Sequence, residues 1–168
     1  SNLLPNPPAF SPSPAALQQI AGHYGDRRIV NVRDKAALMG YDLDETWAKP
    51  GGVFVLTLYW QALEVINLPY KIFVHLESDP VQASPAKLWA QSDDFPACGT
   101  QSTRHWPVGQ PVADRHILRL PADIPPQDYI LWTGLYEPET GLRMDLLDSM
   151  GNPQGIRFEL TRLTVRPA

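Results

Sequence analysis

The chain has 168 residues, 43% of them hydrophobic, which suits one domain with a real core. Eighteen prolines exclude helices of ordinary length from Pro50 onward, because each proline removes a backbone donor and clashes inside a helix. A net charge of −4 offers no basic field to a phosphate backbone, which excludes nucleic acid as a partner.

In chain order, Ser1 and Asn2 fit a cloning remnant at the head of a piece of a longer chain. Residues 1–14 read as a linker or arm, since Leu3 to Pro14 hold five prolines among Asn, Ser and small residues. The remainder, 15–168, reads as a single domain. Ser13 can cap a two-turn helix with Pro14 at its first position, Ala15 to Ala21 as its body and Gly22 as its stop. An irregular excursion is the alternative, because so short a helix has little stability alone.

After the Tyr24-Gly25-Asp26 turn, strands are predicted at Arg28 to Val32 and Ala36 to Leu43. The strongest signal follows, at Gly52 to Ala62 and Tyr70 to Glu77, where every second residue is apolar: Phe54, Leu56, Leu58 and Trp60, then Tyr70, Ile72, Val74 and Leu76. Weaker strands are expected at Lys87 to Ser92 and Val112 to Leu120, and a strong one at Tyr129 to Tyr136. Arg143 to Leu147 and Ile156 to Val165 complete the set, with turns at Glu137 to Gly141 and Asp148 to Gly155. In the last strand the apolar phase moves from Ile156, Phe158 and Leu160 to Leu163 and Val165, predicting a bulge or sheet switch near Thr161 or Arg162. Short strands between Pro- and Gly-rich turns make this an all-β, antiparallel β-sandwich of about eight strands. Immunoglobulin/fibronectin-like and jelly-roll-like arrangements both fit that pattern.

No stretch reaches the roughly 18 uninterrupted apolar residues of a membrane span. The start lacks signal-peptide blocks, so direct membrane insertion of this segment is not expected. Cys98 stands alone, which precludes an intrachain disulfide and a thiolate metal cluster. Its expected role is that of a small buried hydrophobe.

Sequence motifs for chemistry are few. There is no phosphate loop, no His-Glu-x-x-His and no Gly-x-Ser-x-Gly elbow. Asp42, Asp44 and Glu45, with Asp93 and Asp94, have oxygen ligands but no calcium-loop spacing, so turn formation is the expected role. His116 and Asp114 share a strand face and predict an ion pair. His75 shares its face with Lys71, Phe73 and Glu77, opposite Ile72 and Val74, and is expected to point outward. Neither cofactor, metal nor catalytic residue is expected.

Aromatic residues carry the better functional argument, because sugar rings stack C–H patches on flat aromatic faces while their hydroxyls bond polar side chains. In the strand ending at Tyr136, one face holds Tyr129, Leu131, Thr133 and Leu135 and the other Ile130, Trp132 and Tyr136. If the second faces outward, Trp132 and Tyr136 join Phe73 and His75 in an aromatic strip that either binds a glycan or is covered by another element. A second candidate is the loop with Arg104, His105 and Trp106, where Trp106 either binds a partner or plugs the core. Trp60 and Trp89 read as core or sheet-edge residues, and Trp47 as a cover for the turn before Gly51.

Several segments resemble, in order, those of domains at the non-membrane end of multispanning bacterial glycosyltransferase-like proteins that use lipid-linked sugars. They are Leu38 to Leu43, Leu56 to Gln61, Phe73 to Leu76, Ala90 to Asp93, Trp106 to Gly109, Asp114 to His116 with Leu120-Pro121, and Gly134 to Pro138. The resemblance spans about Tyr24 to Val165. The run Asp94-Phe-Pro-Ala-Cys98 departs from it, standing in a loop expected to hold small residues and Gly. The resemblance implies a β-sandwich outside the cytoplasm, attached to a membrane protein and without a catalytic set of its own. Its expected partner is a glycan or the membrane-embedded part of the same protein. A self-contained carbohydrate-binding module and a glycan-active enzyme using surface carboxylates are the alternatives.

Overall fold

The computed structural model describes residues 22–24, 27–82 and 84–168. The linker at 1–14 and the helix expected over 15–21 lie outside them. Twelve strands and one 3-10 turn run in the order β1 (Gly22–Tyr24), β2 (Arg27–Val32), β3 (Ala36–Leu43), β4 (Trp47–Ala48), β5 (Val53–Ala62), β6 (Lys71–Ser78), β7 (Leu88–Asp94), the turn Thr103–His105, β8 (Pro111–Arg119), β9 (Asp128–Tyr136), β10 (Leu146–Leu147), β11 (Pro153–Gly155) and β12 (Phe158–Val165).

They form two sheets. The larger runs β11-β10-β2-β3-β5-β8, with β1 paired to β2; the smaller runs β4-β12-β9-β6-β7. Neighbours are antiparallel except β4 and β12, which run parallel with Thr164 beside Trp47. The alternation along β5 and β6 explains the layering. Phe54, Leu56, Leu58 and Trp60 from one sheet and Ile72, Val74 and Leu76 from the other are buried in one shared core. On β9, Tyr129, Leu131 and Leu135 join that core, so Trp132 and Tyr136 lie on the opposite, outer face of the smaller sheet. The Tyr129 hydroxyl reaches the Pro125 carbonyl at 2.6 Å, fixing the corner where the chain enters β9. The Trp60 indole nitrogen is buried without a hydrogen-bond partner among the described residues.

The predicted break in β12 is present as a register shift between Glu159 and Thr161. Three differences from the sequence reading stand out. The strand set is larger than eight, because β1, β4 and β11 are two- or three-residue pairings with too few residues to show an alternation. Only Leu146–Leu147 of the segment expected from Arg143 is a strand, with Arg143 itself in an isolated bridge to Tyr136. Cys98 is exposed, at a turn where Ala97, Cys98 and Gly99 all have positive φ. The face that the sequence gives Asp114 and His116 in common is the inner one, a point the sequence reading left open: β8 alternates Val112, Asp114, His116 and Leu118 on its buried side.

Candidate functional site

Outward-facing residues of the smaller sheet meet in cross-strand rows. His75 lies opposite Gln91 of β7 on one side and Trp132 of β9 on the other, and Glu159 of β12 continues that row. In the next row Phe73 lies between Asp93 and Gly134, and beyond it Lys71 faces Tyr136. Adjacent rows on one face of a pleated sheet hold their side chains within contact distance.

Gly134 determines what happens above it. A Cβ at this position would lie 2.5 Å from Cζ and 2.7 Å from Cε1 of Phe73, so the ring occupies the space a side chain would need. The ring is held down from above as well. After β9 the chain turns at Glu137 to Leu142, closed by the Gly141 N–H donating to the Glu137 carbonyl at 2.8 Å, with Gly141 at φ 74°. The return places Arg143 beside Tyr136, and Met144, buried in the core, donates its N–H to Leu135 at 2.8 Å. From there the Arg143 guanidinium lies 4.2 Å over the Phe73 ring, within cation–π range.

Between Arg143 and β7 lies a cavity of about 270 Å³, floored by Phe73 and walled by His75, Gln91, Asp93, Tyr136 and Gly141. Asp93 accepts the Tyr136 hydroxyl on Oδ1 at 2.5 Å. Burial, together with that bond and the nearby negative charge, pushes the Tyr136 phenol up to about 12, so it remains neutral. Burial, followed by the Arg143 charge, lowers the His75 pKa, against the pull of Glu77 and Asp93. A neutral imidazole offers one donor and one acceptor. Arg143 makes no ion pair and no hydrogen bond among the described residues.

Of the residues the sequence singles out, Phe73, His75 and Tyr136 are brought together here and Trp132 stands beside them. Their exposure differs from the strip the sequence suggests. Phe73 is buried and offers no stacking face. Trp132 is half-buried, with the Arg157 guanidinium 3.7 Å over its ring and Arg157 bonding both Glu77 oxygens at 3.0 Å. The other candidate loop is split. Thr103, fully buried, donates to the Leu68 carbonyl and accepts the Tyr70 N–H at 3.0 Å, drawing the 3-10 turn onto the sandwich. Trp106 consequently stacks on Trp60 with ring centroids 6.4 Å apart and plugs the core, whereas Arg104 and His105 remain exposed and line none of the outer-face cavity.

Gln91, Asp93 and Arg143 are the site residues that the sequence reading did not assign to a glycan site. The signal for the first two was the strand expected at Lys87 to Ser92, which in the structure runs on to Asp94; pairing it with β6 brings Gln91 and Asp93 beside His75 and Phe73. Three of the segments that carry the family resemblance, Phe73 to Leu76, Ala90 to Asp93 and Gly134 to Pro138, border this cavity.

Two other depressions differ in character. One of about 330 Å³, with Gln101, Gln110 and prolines in its wall, has no charged or aromatic group. Another, of about 170 Å³, lies where β7 meets β8, beside Ser92, Cys98 and His116. Here the Ser92 hydroxyl meets His116 Nδ1 at 2.7 Å, His116 Nε2 meets Asp114 at 2.5 Å, and Asp114 accepts the Ala97 N–H at 2.7 Å. The Asp114–His116 pairing expected from the sequence is therefore present as a hydrogen-bonded contact, and through Ser92 it forms a buried tie between the sheets. Of the acidic residues expected to form turns, Asp44 accepts the N–H groups of Glu45 and Val55 and Asp94 that of Phe95, whereas Asp42 instead accepts the Tyr59 hydroxyl at 2.7 Å and Asp93 that of Tyr136. Among the described residues no group of three or more side chains is arranged to hold a metal ion.

No family model matches the chain, and no curated protein matches it by sequence. Among solved structures, the crystal structure of the C-terminal domain of wzt is similar in fold, with a TM-score of 0.50 and 12% identity over 91% of this chain and 86% of that one.

Proposed function

We propose that this chain is a non-catalytic accessory domain that recognises or positions a glycan on the outer face of its smaller sheet. The observation that carries this reading is the cavity over Phe73, where a guanidinium with no ion-pair partner among the described residues, a carboxylate, an amide and a neutral imidazole converge beside Tyr136. Sugar sites combine such polar groups with an aromatic wall. The accessory role is supported by the similarity to a domain that is itself the C-terminal part of a longer chain. Attachment to a membrane protein with glycosyltransferase-like chemistry, outside the cytoplasm, belongs to the same proposal and rests on the sequence resemblance. Protease digestion of intact cells that carry the full-length protein tests it, since an extracytoplasmic domain is cleaved without lysis.

Binding is tested by titrating a panel of oligosaccharides against the amide resonances of the chain. Shifts confined to β6, β7, β9 and the Gly141–Arg143 return are expected. If no oligosaccharide shifts any resonance, the glycan reading fails and a protein-docking role for the face takes its place.

A further inference from the structure

We propose that the cavity over Phe73 accepts an uncharged pyranose through two neighbouring hydroxyls, one donating to Asp93 and the other accepting from Arg143, and discriminates against charged sugars. This rests on the glycan reading above and specifies its ligand.

Arg143 and Asp93 line the same small cavity and carry opposite charges, yet they form no ion pair. Each is held by a different neighbour. Arg143 lies on the Phe73 ring, and Asp93 is tied through Oδ1 to Tyr136, leaving Oδ2 without a partner among the described residues. The space between them thus has a donor wall and an acceptor wall that do not satisfy one another. A ligand that fills it has to give a proton to one wall and take one from the other.

Hydroxyl groups do both, because each is a donor and an acceptor. A carboxylate or phosphate satisfies the guanidinium but sets a second negative charge against Asp93, and an ammonium group reverses the conflict. Of the other charges nearby, Asp94 acts on Tyr136 but lies outside the cavity wall and accepts the Phe95 N–H. Glu77 is closed by Arg157, and Lys71 is directed over the Phe95 ring at 5.0 Å. His75 and Gln91 add neutral groups that can donate and accept. At about 270 Å³ the cavity falls below the roughly 300–1,000 Å³ of sites for drug-sized ligands, which suits a single sugar ring of a longer glycan.

The test titrates the 168-residue chain with methyl α-D-mannopyranoside, methyl β-D-galactopyranoside, methyl β-D-glucuronide and glucosamine, following the amides of His75, Gln91, Asp93, Tyr136 and Arg143. At least one neutral glycoside is expected to move these amides with an affinity about 10-fold or more above the uronate and the amine. Asp93→Asn, which keeps an acceptor but removes the charge, is expected to weaken the neutral sugar about 5- to 10-fold and to improve the uronate. Arg143→Gln is expected to weaken the neutral sugar to a similar extent, and unchanged resonances elsewhere confirm folding. Tighter binding of the uronate or amine by the wild-type chain overturns this inference and leaves the glycan reading standing, as does neutral-sugar binding elsewhere on the same outer face; binding away from that face overturns both. If none of these sugars nor any longer glycan binds, both fall.

Discussion

A missing side chain at residue 134 shapes the outer face of the smaller sheet. Gly134→Ala puts a methyl group into the Phe73 ring, which is buried beneath Arg143 and has little room to yield. The expected cost is about 1–3 kcal/mol, the usual penalty for overpacking, read as a lower urea midpoint at unchanged m-value. Loss of the shifted ring-current signals that Phe73 imposes on its neighbours is expected too. An unchanged midpoint would show that the ring is free to move. His75 gives a second residue-scale prediction. Its folded pKa is below the usual 6.5, so as pH falls through 6.5 the unfolded chain takes up the proton first and stability declines, the loss being complete below the folded pKa. Stability from this group is therefore fully present above 6.5. His75→Gln is expected to flatten the stability profile between pH 6.5 and the folded pKa. Parallel profiles for the two proteins contradict the assignment.

Strands β7 and β8 are the last strands of their respective sheets, and the hydrogen-bonded series from Ser92 through His116 to Asp114 joins them. His116→Ala leaves the buried Asp114 carboxyl group with its Oδ2 partner gone, and stranding a buried polar group in this way costs about 1–3 kcal/mol, more where the group is charged. Ser92→Ala removes a single hydrogen bond and is expected to cost about 1 kcal/mol. Denaturant titration of the two variants separates the roles; equal, small losses would mean that the tie contributes little. Legibility of the elements followed strand length and the company each strand keeps. The strands β5, β6 and β9, of eight to ten residues with one buried face, could be read directly from period-two alternation, as could the irregularity in β12. The two-residue β4 is defined by distant partners at Thr164 and Val165, which no local pattern announces, whereas the strand expected over Arg143 to Leu147 narrows to the part that pairs with Asn31 and Val32. The same limit applied to the site. Alternation placed His75 on an outer face and grouped Trp132 with Tyr136 without fixing which side of β9 is outer, but Arg143 reaches Phe73 by way of a turn, and Trp106 sits in the core because of a bond from Thr103 to a carbonyl 35 residues away.

Across the whole molecule, the smaller sheet is completed by the last strand in the order, which pairs with strands far back in the sequence. β12 lies between β4 and β9 and supplies Phe158, Leu160, Leu163 and Val165 to the core. Truncation after Gly155 therefore removes an internal strand and four buried side chains, and the shortened chain is expected to lose its cooperative thermal transition and its dispersed amide spectrum. A sharp melt in that variant would require another segment to have taken the place of β12. Placing the cavity on the outer face separates it from this framework, because its wall is built of side chains turned away from the core. One carbon atom withheld from β9 nevertheless links the two. Any chain that shares this sandwich and carries a larger side chain in place of Gly134 must lift the ring above it and fill the hollow from below. A single letter at that place thus sorts such chains into those able to keep a receptive basin and those left with a level surface.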